Sequence, residues 1–247
     1  MKELKILYLY PDMLELYGDY GNIQVLKYRL ESRGYNCIID RYSLEDIAPD
    51  FTKYDLVFAG GGADIEQNIL SNDLIKYKEN IKQAIDEGVF FLLICGAYQL
   101  FGKYYKDVEG NIINGLEIFP YYTEAIEDRK KRCIGNIVID VNLNGNSSKV
   151  IGFENHGGQT FDISSPFGKV LVGNGNKFND EFEGFFQKNI IATYLHGPLL
   201  AKNPELADYI IKYCLDRKYD ENLSLEPLND NFENLCREQL LNRFLSQ

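Results

Sequence analysis

FFLLICGAYQL, residues 90–100, is the stretch that decides the fold. An unbroken apolar run from residue 89 to Cys95 follows the breaker Gly88. It is too short for a buried helix, so it predicts a strand buried on both faces. Gly96 and Ala97 are small and allow a sharp turn into a helix, which would leave Cys95 at the first helical turn. Free N–H groups and the helix dipole stabilise a thiolate there. Many cysteines are inert core residues, so the rest of the chain must decide between the two roles.

Length and composition indicate one folded domain. The chain has 247 residues, 45% of them hydrophobic, and a net charge of −11 that argues against nucleic acid as the main partner. No segment approaches the roughly 18 apolar residues of a membrane span, and the first residues lack the apolar centre of a signal peptide. Five scattered cysteines without a Cys-x-x-Cys predict reduced thiols, a cytoplasmic location and no metal site. We expect a single domain over residues 1–247, with a helical extension from about residue 204.

Apolar runs and helical patterns alternate along the chain, which predicts the α/β class. The predicted strands of the main sheet are residues 4–10, 35–42, 55–59, 89–95 and 190–195. Helical spacing is found at residues 20–34, 74–86, 99–104, 204–216 and 231–245. The middle third is β-rich, with strand-like segments at residues 112–119, 133–141, 150–154 and 169–172. We therefore expect a doubly wound, mostly parallel sheet flanked by helices, with added β segments.

A triple glycine, Gly60-Gly61-Gly62, directly follows one predicted strand. It does not have the G-x-G-x-x-G spacing of a dinucleotide site, and by itself it more often marks only a flexible turn. In a doubly wound sheet, however, the carboxyl ends of neighbouring strands meet at one crevice, so this turn would lie beside Cys95. Glycines there let backbone N–H groups approach a ligand and form an oxyanion hole.

His196 stands just past the predicted strand at residues 190–195, at the sheet edge where Cys95 would lie. A catalytic thiol needs a base that takes its proton and later returns one, and histidine suits this near neutral pH. A histidine at a strand end is otherwise a surface residue or a helix cap. Asp19, directly before the first predicted helix, is interpreted as the N-cap of that helix.

Several motifs together carry a resemblance to a known family. They are YGDYGN (residues 17–22), GGG (60–62), CGAYQ (95–99), YYTE (121–124), GFENHGGQT (152–160) and YLHGP (194–198). In order and spacing, the chain resembles class I glutamine amidotransferases of the cobyric acid synthase (CobB/CobQ) type. Within that type it is most similar to the GatD-type glutaminase subunits of lipid II isoglutaminyl synthases. The resemblance implies a flavodoxin-like sheet with the added β segments of that fold.

The resemblance also implies the roles of the reacting groups. Cys95 would attack the side-chain amide of L-glutamine and form a γ-glutamyl thioester, which water hydrolyses to glutamate after ammonia has left. His196 would be general base and acid. One N–H group from Gly61 or Gly62, and one from Gly96 or Ala97, would stabilise the oxyanion.

Three further positions are implied to shape the substrate site. Arg132 would hold the α-carboxylate of glutamine as a bidentate fork. Arg129 is the alternative if the insertion-prone loop over residues 125–131 shifts the register with the family. Either arginine could instead belong to a solvated basic loop. His156 would shape the glutamine pocket, or would only hold its own loop.

The sequence departs from the broader pattern of class I enzymes at two places. Positions 93 and 97 are Leu93 and Ala97 where many relatives have glycine. Position 198, two residues after the histidine, is Pro198 where the acidic third member of a triad usually stands. A Cys95–His196 dyad is therefore the prediction.

The partner follows from the resemblance as well. A MurT-like Mur ligase would form a heterodimer with this chain and use the ammonia to amidate the D-glutamate of lipid II. ATP and Mg would bind that partner and no cofactor would bind this chain, which has no G-x-x-x-x-G-K-[ST] motif. No nucleic acid and no membrane insertion are expected. A stand-alone thiol hydrolase of γ-glutamyl compounds and a non-catalytic regulatory subunit of a ligase are the alternatives.

Overall fold

Three β-sheets and six α-helices make up residues 2–62 and 64–246, which the computed structural model describes. The strands are β1 (Glu3–Leu9), β2 (Asn36–Tyr42), β3 (Leu56–Ala59), β4 (Phe90–Ile94), β5 (Tyr104–Lys106), β6 (Ile112–Asn114), β7 (Tyr122–Ala125), β8 (Cys133–Leu143), β9 (Asn146–His156), β10 (Gly158–Phe161), β11 (Gly168–Val172), β12 (Phe182–Glu183), β13 (Phe185–Gln187) and β14 (Ile190–Thr193). The helices are α1 (Tyr20–Glu31), α2 (Asp64–Leu74), α3 (Lys78–Asp86), α4 (Gly96–Leu100), α5 (Pro204–Tyr219) and α6 (Asn231–Leu245).

The central sheet has the strand order β13-β14-β4-β3-β1-β2. All neighbouring pairs from β14 to β2 are parallel, and only β13 runs antiparallel to its neighbour. Every residue of β3 and β4 is buried, as expected for strands covered on both faces. The prediction of a doubly wound, mostly parallel sheet is confirmed.

The middle third forms two smaller sheets of four strands each, with the orders β10-β7-β5-β6 and β12-β11-β8-β9. The second contains a long antiparallel hairpin of β8 and β9, which turns at Asn144 and Gly145. Both turn residues have positive φ, which favours Asn-Gly at this position. The predicted added β segments are confirmed, although the short strands β5, β7, β10, β12 and β13 were not predicted.

Three predicted elements differ from the observed ones. The helix predicted over residues 74–86 is divided, because α2 ends at Leu74 and a 3₁₀ turn precedes α3. The helix predicted over residues 99–104 is α4, which begins and ends earlier. The strand predicted over residues 112–119 ends at Asn114, because residues 116–119 donate backbone hydrogen bonds to carbonyl groups at residues 100–102 instead. Contacts distant in sequence therefore end this strand.

The two C-terminal helices pack differently. The apolar face of α5 is buried against the central sheet and α1. Helix α6 lies on β8 and β11 and buries Phe244 with Val138 and Ile151, while Phe232 and Leu235 on α6 remain exposed. None of the described helices is long and apolar enough to cross a membrane.

Glu183 of β12 is a fully buried carboxyl group at the edge of the central sheet. The Thr193 hydroxyl lies 2.9 Å from one of its oxygens, and the Tyr194 N–H donates to the other at 2.7 Å. Burial raises the pKa of Glu183 from its usual 4.5 to about 8, although these hydrogen bonds oppose the shift. This acid therefore anchors the end of β14, where His196 follows.

His196 is also held through its backbone by β9. The N–H of Phe153 donates to the His196 carbonyl at 3.2 Å, and the N–H of His196 donates to the Phe153 carbonyl at 2.9 Å. The neighbouring Gly152 allows this approach, since a Cβ there would lie 2.5 Å from Cγ of Leu195. The central sheet and the long hairpin therefore meet at the histidine.

We expect Gly152→Ala to lower the free energy of unfolding by about 1–3 kcal/mol, because the added methyl group overpacks a site already filled by Leu195. Thermal and urea unfolding would measure the change. A variant as stable as the wild type would show that the hairpin does not pack this closely on β14.

Candidate active site

Cys95 occupies a sharp turn between β4, which ends at Ile94, and α4, which begins at Gly96. Its backbone has φ 50° and ψ −101°, a conformation that L residues rarely adopt and that costs about 1–3 kcal/mol. The Cys95 N–H donates to the Thr193 carbonyl at 2.8 Å, which fixes the turn to β14. The predicted turn is thus present, and the Cys95 side chain is 7% exposed.

The triple glycine brings Cys95 and His196 together. A Cβ added to Gly61 would lie 2.8 Å from Cε1 of His196 and 3.4 Å from Cβ of Cys95. A Cβ added to Gly60 would lie 2.3 Å from the Leu14 carbonyl oxygen. Glycine is required here because side chains would displace the catalytic candidates or the loop between β1 and α1.

A third ionisable residue joins this pair. Nδ1 of His196 lies 3.2 Å from both carboxylate oxygens of Asp19, and both side chains are fully buried. The N–H of Gly61 donates to Asp19 Oδ2 at 2.9 Å. Asp19 occupies the N-cap position of α1, as interpreted from the sequence, but its side chain makes no capping hydrogen bond and binds these two groups instead.

Asp19 and Cys95 together set the charge of His196. Burial by itself would lower the pKa of His196, but electrostatic and hydrogen-bond interactions with Cys95 and Asp19 outweigh it and raise the pKa from the usual 6.5 to about 10. The ring is therefore protonated at neutral pH. Nδ1 of the ring faces Asp19. Nε2 has no hydrogen-bond partner among the oxygens and nitrogens of the described residues. Nε2 is therefore the nitrogen available to Cys95 and a substrate.

The site is therefore a Cys–His–Asp arrangement, and the prediction of a dyad without an acidic partner is wrong. The acid comes from the loop after β1, whereas Pro198, at the position where the sequence analysis looked for a triad acid, packs on Gly21. The sequence held a signal for this in Gly18-Asp19, since Asp19 follows a buried strand of the same sheet. The preference of aspartate for helix N-cap positions led to a local interpretation instead.

The four predicted oxyanion donors are not equivalent. The N–H of Gly61 is taken by Asp19, and the N–H of Ala97 donates to the Gly60 carbonyl at 3.4 Å. Gly62 and Gly96 remain as the pair whose N–H groups take part in none of the described hydrogen bonds. They are adjacent, since a Cβ added to Gly96 would lie 2.9 Å from the Gly62 nitrogen.

Cys95 opens into a cavity of about 900 Å³. The predicted substrate residues Arg132 and His156 line this cavity, and so does the alternative Arg129. The guanidinium of Arg132 donates to Oδ1 of Asn155 from Nε at 3.2 Å and from Nη2 at 3.0 Å. The structure therefore brings the nucleophile and both basic candidates to one pocket.

His156 forms part of the cavity wall and also holds its own loop. Its ring stacks on Tyr194 with centroids 3.6 Å apart, and Nδ1 lies 2.7 Å from the Gly158 carbonyl oxygen. Burial and the positive charges of His196 and Arg132 lower the pKa of His156 to about 4. The ring is neutral, so Nδ1 donates to Gly158 and Nε2 is an acceptor without a partner among the described residues.

Gln67 and Gln99 are among the cavity residues that were not predicted. Nε2 of Gln67 donates to Oε1 of Gln99 at 2.9 Å, and Nε2 of Gln99 donates to the Tyr194 hydroxyl at 3.1 Å. Gln99 lies in the CGAYQ motif, which contributed to the family resemblance but did not indicate a role for Gln99. Gln67 lies in α2, a helix that the sequence analysis did not predict.

Comparisons with known proteins bear on the family of this chain. The sequence model of the CobB/CobQ-like glutamine amidotransferase domain matches residues 5–204. The chain is 40% identical to the lipid II isoglutaminyl synthase (glutamine-hydrolysing) subunit GatD of Staphylococcus aureus, over 88% of this chain and 87% of that protein. It is 39% identical to GatD of Streptococcus pneumoniae, over 92% of this chain and 86% of that protein. A probable cobyric acid synthase of Methanococcus vannielii is 30% identical over 79% of this chain but only 39% of its own length.

Solved structures show the same fold at low identity. PurLQS from Thermotoga maritima superposes with a TM-score of 0.56 at 15% identity, over 90% of this chain and 100% of that chain. A crystal structure described as glutamine amidotransferase gives a TM-score of 0.53 at 14% identity, over 84% of this chain and 98% of that chain.

We expect a glutamine-like electrophile to add one label to the wild-type chain, at Cys95, and none to Cys95→Ser. Cys95 is the thiol in the cavity beside a protonated histidine, whereas burial raises the pKa of Cys37 to about 11 and that of Cys133 to about 12. Peptide mass mapping would locate the label. The exposed Cys236 is the matched control, and a label on it in place of Cys95 would contradict the assignment.

Asp19→Asn should lower the pKa of His196, since it removes a buried negative charge beside the imidazolium. The sequence has two histidines, so NMR can follow each separately. In the wild type, His196 should lose its proton near pH 10 and His156 near pH 4. In the variant, the His196 transition should move to lower pH and the His156 transition should stay in place. An unchanged His196 transition would show that Asp19 does not control its charge.

Proposed function

The chain belongs to the family of CobB/CobQ-like glutamine amidotransferases, and from this we propose that it is the glutamine-hydrolysing subunit of a lipid II isoglutaminyl synthase. The observation that carries the proposal is the Cys95–His196–Asp19 arrangement at the strained turn, beside a cavity that also holds a basic side chain. The high identity to two GatD subunits over nearly their whole length supports the finer assignment.

In the first half of the proposed reaction, the Cys95 thiolate attacks the side-chain amide carbon of glutamine. The N–H groups of Gly62 and Gly96 stabilise the oxyanion; removing one such donor typically costs about 3 kcal/mol. His196 gives its Nε2 proton to the departing nitrogen, so ammonia leaves and a γ-glutamyl thioester remains on Cys95. Asp19 keeps the ring oriented and stabilises its positive charge.

In the second half, His196 takes a proton from water, and the resulting hydroxide attacks the thioester carbon. The thiolate leaves, glutamate is released, and His196 is again protonated. Arg132 binds the α-carboxylate of glutamine as a fork, with Arg129 close by in the same cavity as the alternative. The neutral His156 completes the pocket wall.

The proposal includes a partner subunit. Ammonia in bulk water would be protonated and diluted, so productive transfer needs an enclosed route to a second active site. The relatives are described as subunits of lipid II isoglutaminyl synthase, which supports a heterodimer. We propose a MurT-like Mur ligase that binds ATP and Mg, amidates the D-glutamate of lipid II, and docks over the cavity mouth.

No cofactor is proposed for this chain. The free cysteines of its described part fit a reducing, cytoplasmic setting.

Co-expression of the chain with a Mur-ligase-like protein tests the proposal. We expect a stable complex in analytical ultracentrifugation and glutamine-dependent amidation of the D-glutamate of lipid II. A complex that contains Cys95→Ala should lose amidation with glutamine and regain it with added ammonium salt, because only the ammonia source is removed.

The alternatives give different results in the same experiment. Two separate sedimenting species, with full glutamine turnover by this chain alone, would indicate a stand-alone hydrolase. A Cys95→Ala complex that still amidates lipid II with glutamine would indicate a non-catalytic regulatory subunit.

A further inference from the structure

Tyr17, Asn155 and Arg132 form a hydrogen-bonded chain across the mouth of the cavity. Oδ1 of Asn155 accepts two hydrogen bonds from Arg132, and Nδ2 of Asn155 donates to the Tyr17 hydroxyl at 2.5 Å. All three residues line the same cavity as Cys95. They come from the loop after β1, from β9 and from the residue before β8, so the chain links parts that are distant in sequence.

The orientation of the Asn155 amide follows from its partners. A guanidinium has only donors, so the oxygen of Asn155 must face Arg132, and its NH₂ group must face Tyr17. The Tyr17 hydroxyl is then the acceptor, and Tyr17→Phe would remove it without changing the ring.

The Tyr17 ring has a second contact, with the catalytic histidine. Its centroid lies 4.9 Å from that of His196, with the rings at 69°, an edge-to-face arrangement. The His196 side chain is fully buried, whereas Tyr17 is 47% exposed, so Tyr17 lies between solvent and His196. Its backbone has φ 57° and ψ 25°, a left-handed conformation that is uncommon for a tyrosine. The adjacent Leu16 N–H donates to the Gly61 carbonyl at 3.1 Å, which holds this turn against the triple glycine.

We propose that Tyr17 and Asn155 are positioning residues that couple substrate recognition at Arg132 to the cover over His196. Asn155 holds the guanidinium in place through Nε and Nη2. Nη1 makes none of the described hydrogen bonds, so the Nη1–Nη2 edge is the one that a carboxylate would use as a fork. Tyr17 fixes Asn155 through its hydroxyl and shields the Cys95–His196 pair through its ring. This inference rests on the proposed binding of glutamine by Arg132.

The two functions of Tyr17 are separable, because one belongs to the hydroxyl and the other to the ring. Loss of the hydroxyl should weaken substrate binding alone, since the guanidinium becomes less ordered. Loss of the ring should also slow the chemical step, since water then reaches His196 and weakens its interaction with Cys95.

The test is the rate of Cys95 labelling by a diazoketone analogue of L-glutamine, measured against analogue concentration. We expect Tyr17→Phe and Asn155→Ala to raise the half-saturating concentration about 2- to 10-fold, which is the change in affinity expected from the loss of one hydrogen bond. The maximal rate should be unchanged. Asn155→Asp should raise the half-saturating concentration further, because its carboxylate would neutralise the guanidinium charge that attracts the substrate carboxylate. Tyr17→Ala should raise it and also lower the maximal rate.

Iodoacetamide and Tyr28→Phe serve as controls. Iodoacetamide has no carboxylate, so its reaction with Cys95 should be the same in the wild type, Tyr17→Phe and Asn155→Ala. Tyr28 is 64% exposed on α1, and Tyr28→Phe should behave as the wild type with both reagents.

Two results would overturn the inference, and they are distinguishable. Saturable labelling of the wild type with identical half-saturation in Tyr17→Phe and Asn155→Ala would exclude the positioning role and leave the proposed function intact. A wild type that reacts with iodoacetamide at Cys95 but shows no saturable labelling by the analogue would remove the proposed function, and this inference with it.

Discussion

The buried carboxylate of Asp19 is the interaction on which the site depends. A charge without exposure to water is stable only when paired and hydrogen-bonded, and Asp19 has both His196 and the Gly61 N–H as partners. These partners follow β14 and β3, and Asp19 itself follows β1, so one side chain connects the ends of three strands of the central sheet. The protonated histidine, the triple glycine and the loop over the cavity are therefore held together by one charge.

The remaining wall of the site comes from outside the central sheet. The backbone of His196 is bonded to Phe153 of β9, so the histidine is fixed by its main chain on one side and by Asp19 on the other. Glu154, the next residue in β9, is fully buried and accepts hydrogen bonds from the N–H groups of Asn174 and Gly175. Asn155 and His156 follow directly and line the cavity. The central sheet and the loop after β1 therefore position the candidate reacting groups, and the hairpin supplies one wall of the cavity.

Much of the fold was predictable, because uninterrupted apolar runs such as residues 89–95 leave few alternatives to a buried parallel strand. The proximity of Gly61, Cys95 and His196 followed from the rule that strand ends meet at one crevice. The contact of Asp19 with His196 was missed because helix-capping preferences are local, whereas this partner is distant in sequence. The short strands β7 and β10 escaped prediction for the same reason: with four residues each, they are specified by pairing with each other rather than by periodicity.

Glu183 has a consequence for the energetics of folding. Its pKa of about 8 in the folded chain, against the usual 4.5, means that at neutral pH the folded protein carries this proton and the unfolded chain does not. Folding is therefore coupled to proton uptake, and the contribution of Glu183 to stability declines as pH rises from about 4.5 to 8. A calorimetric unfolding enthalpy for this protein accordingly contains the ionisation heat of the buffer that accepts the proton. Values from phosphate and from an amine buffer would differ even though the fold is the same.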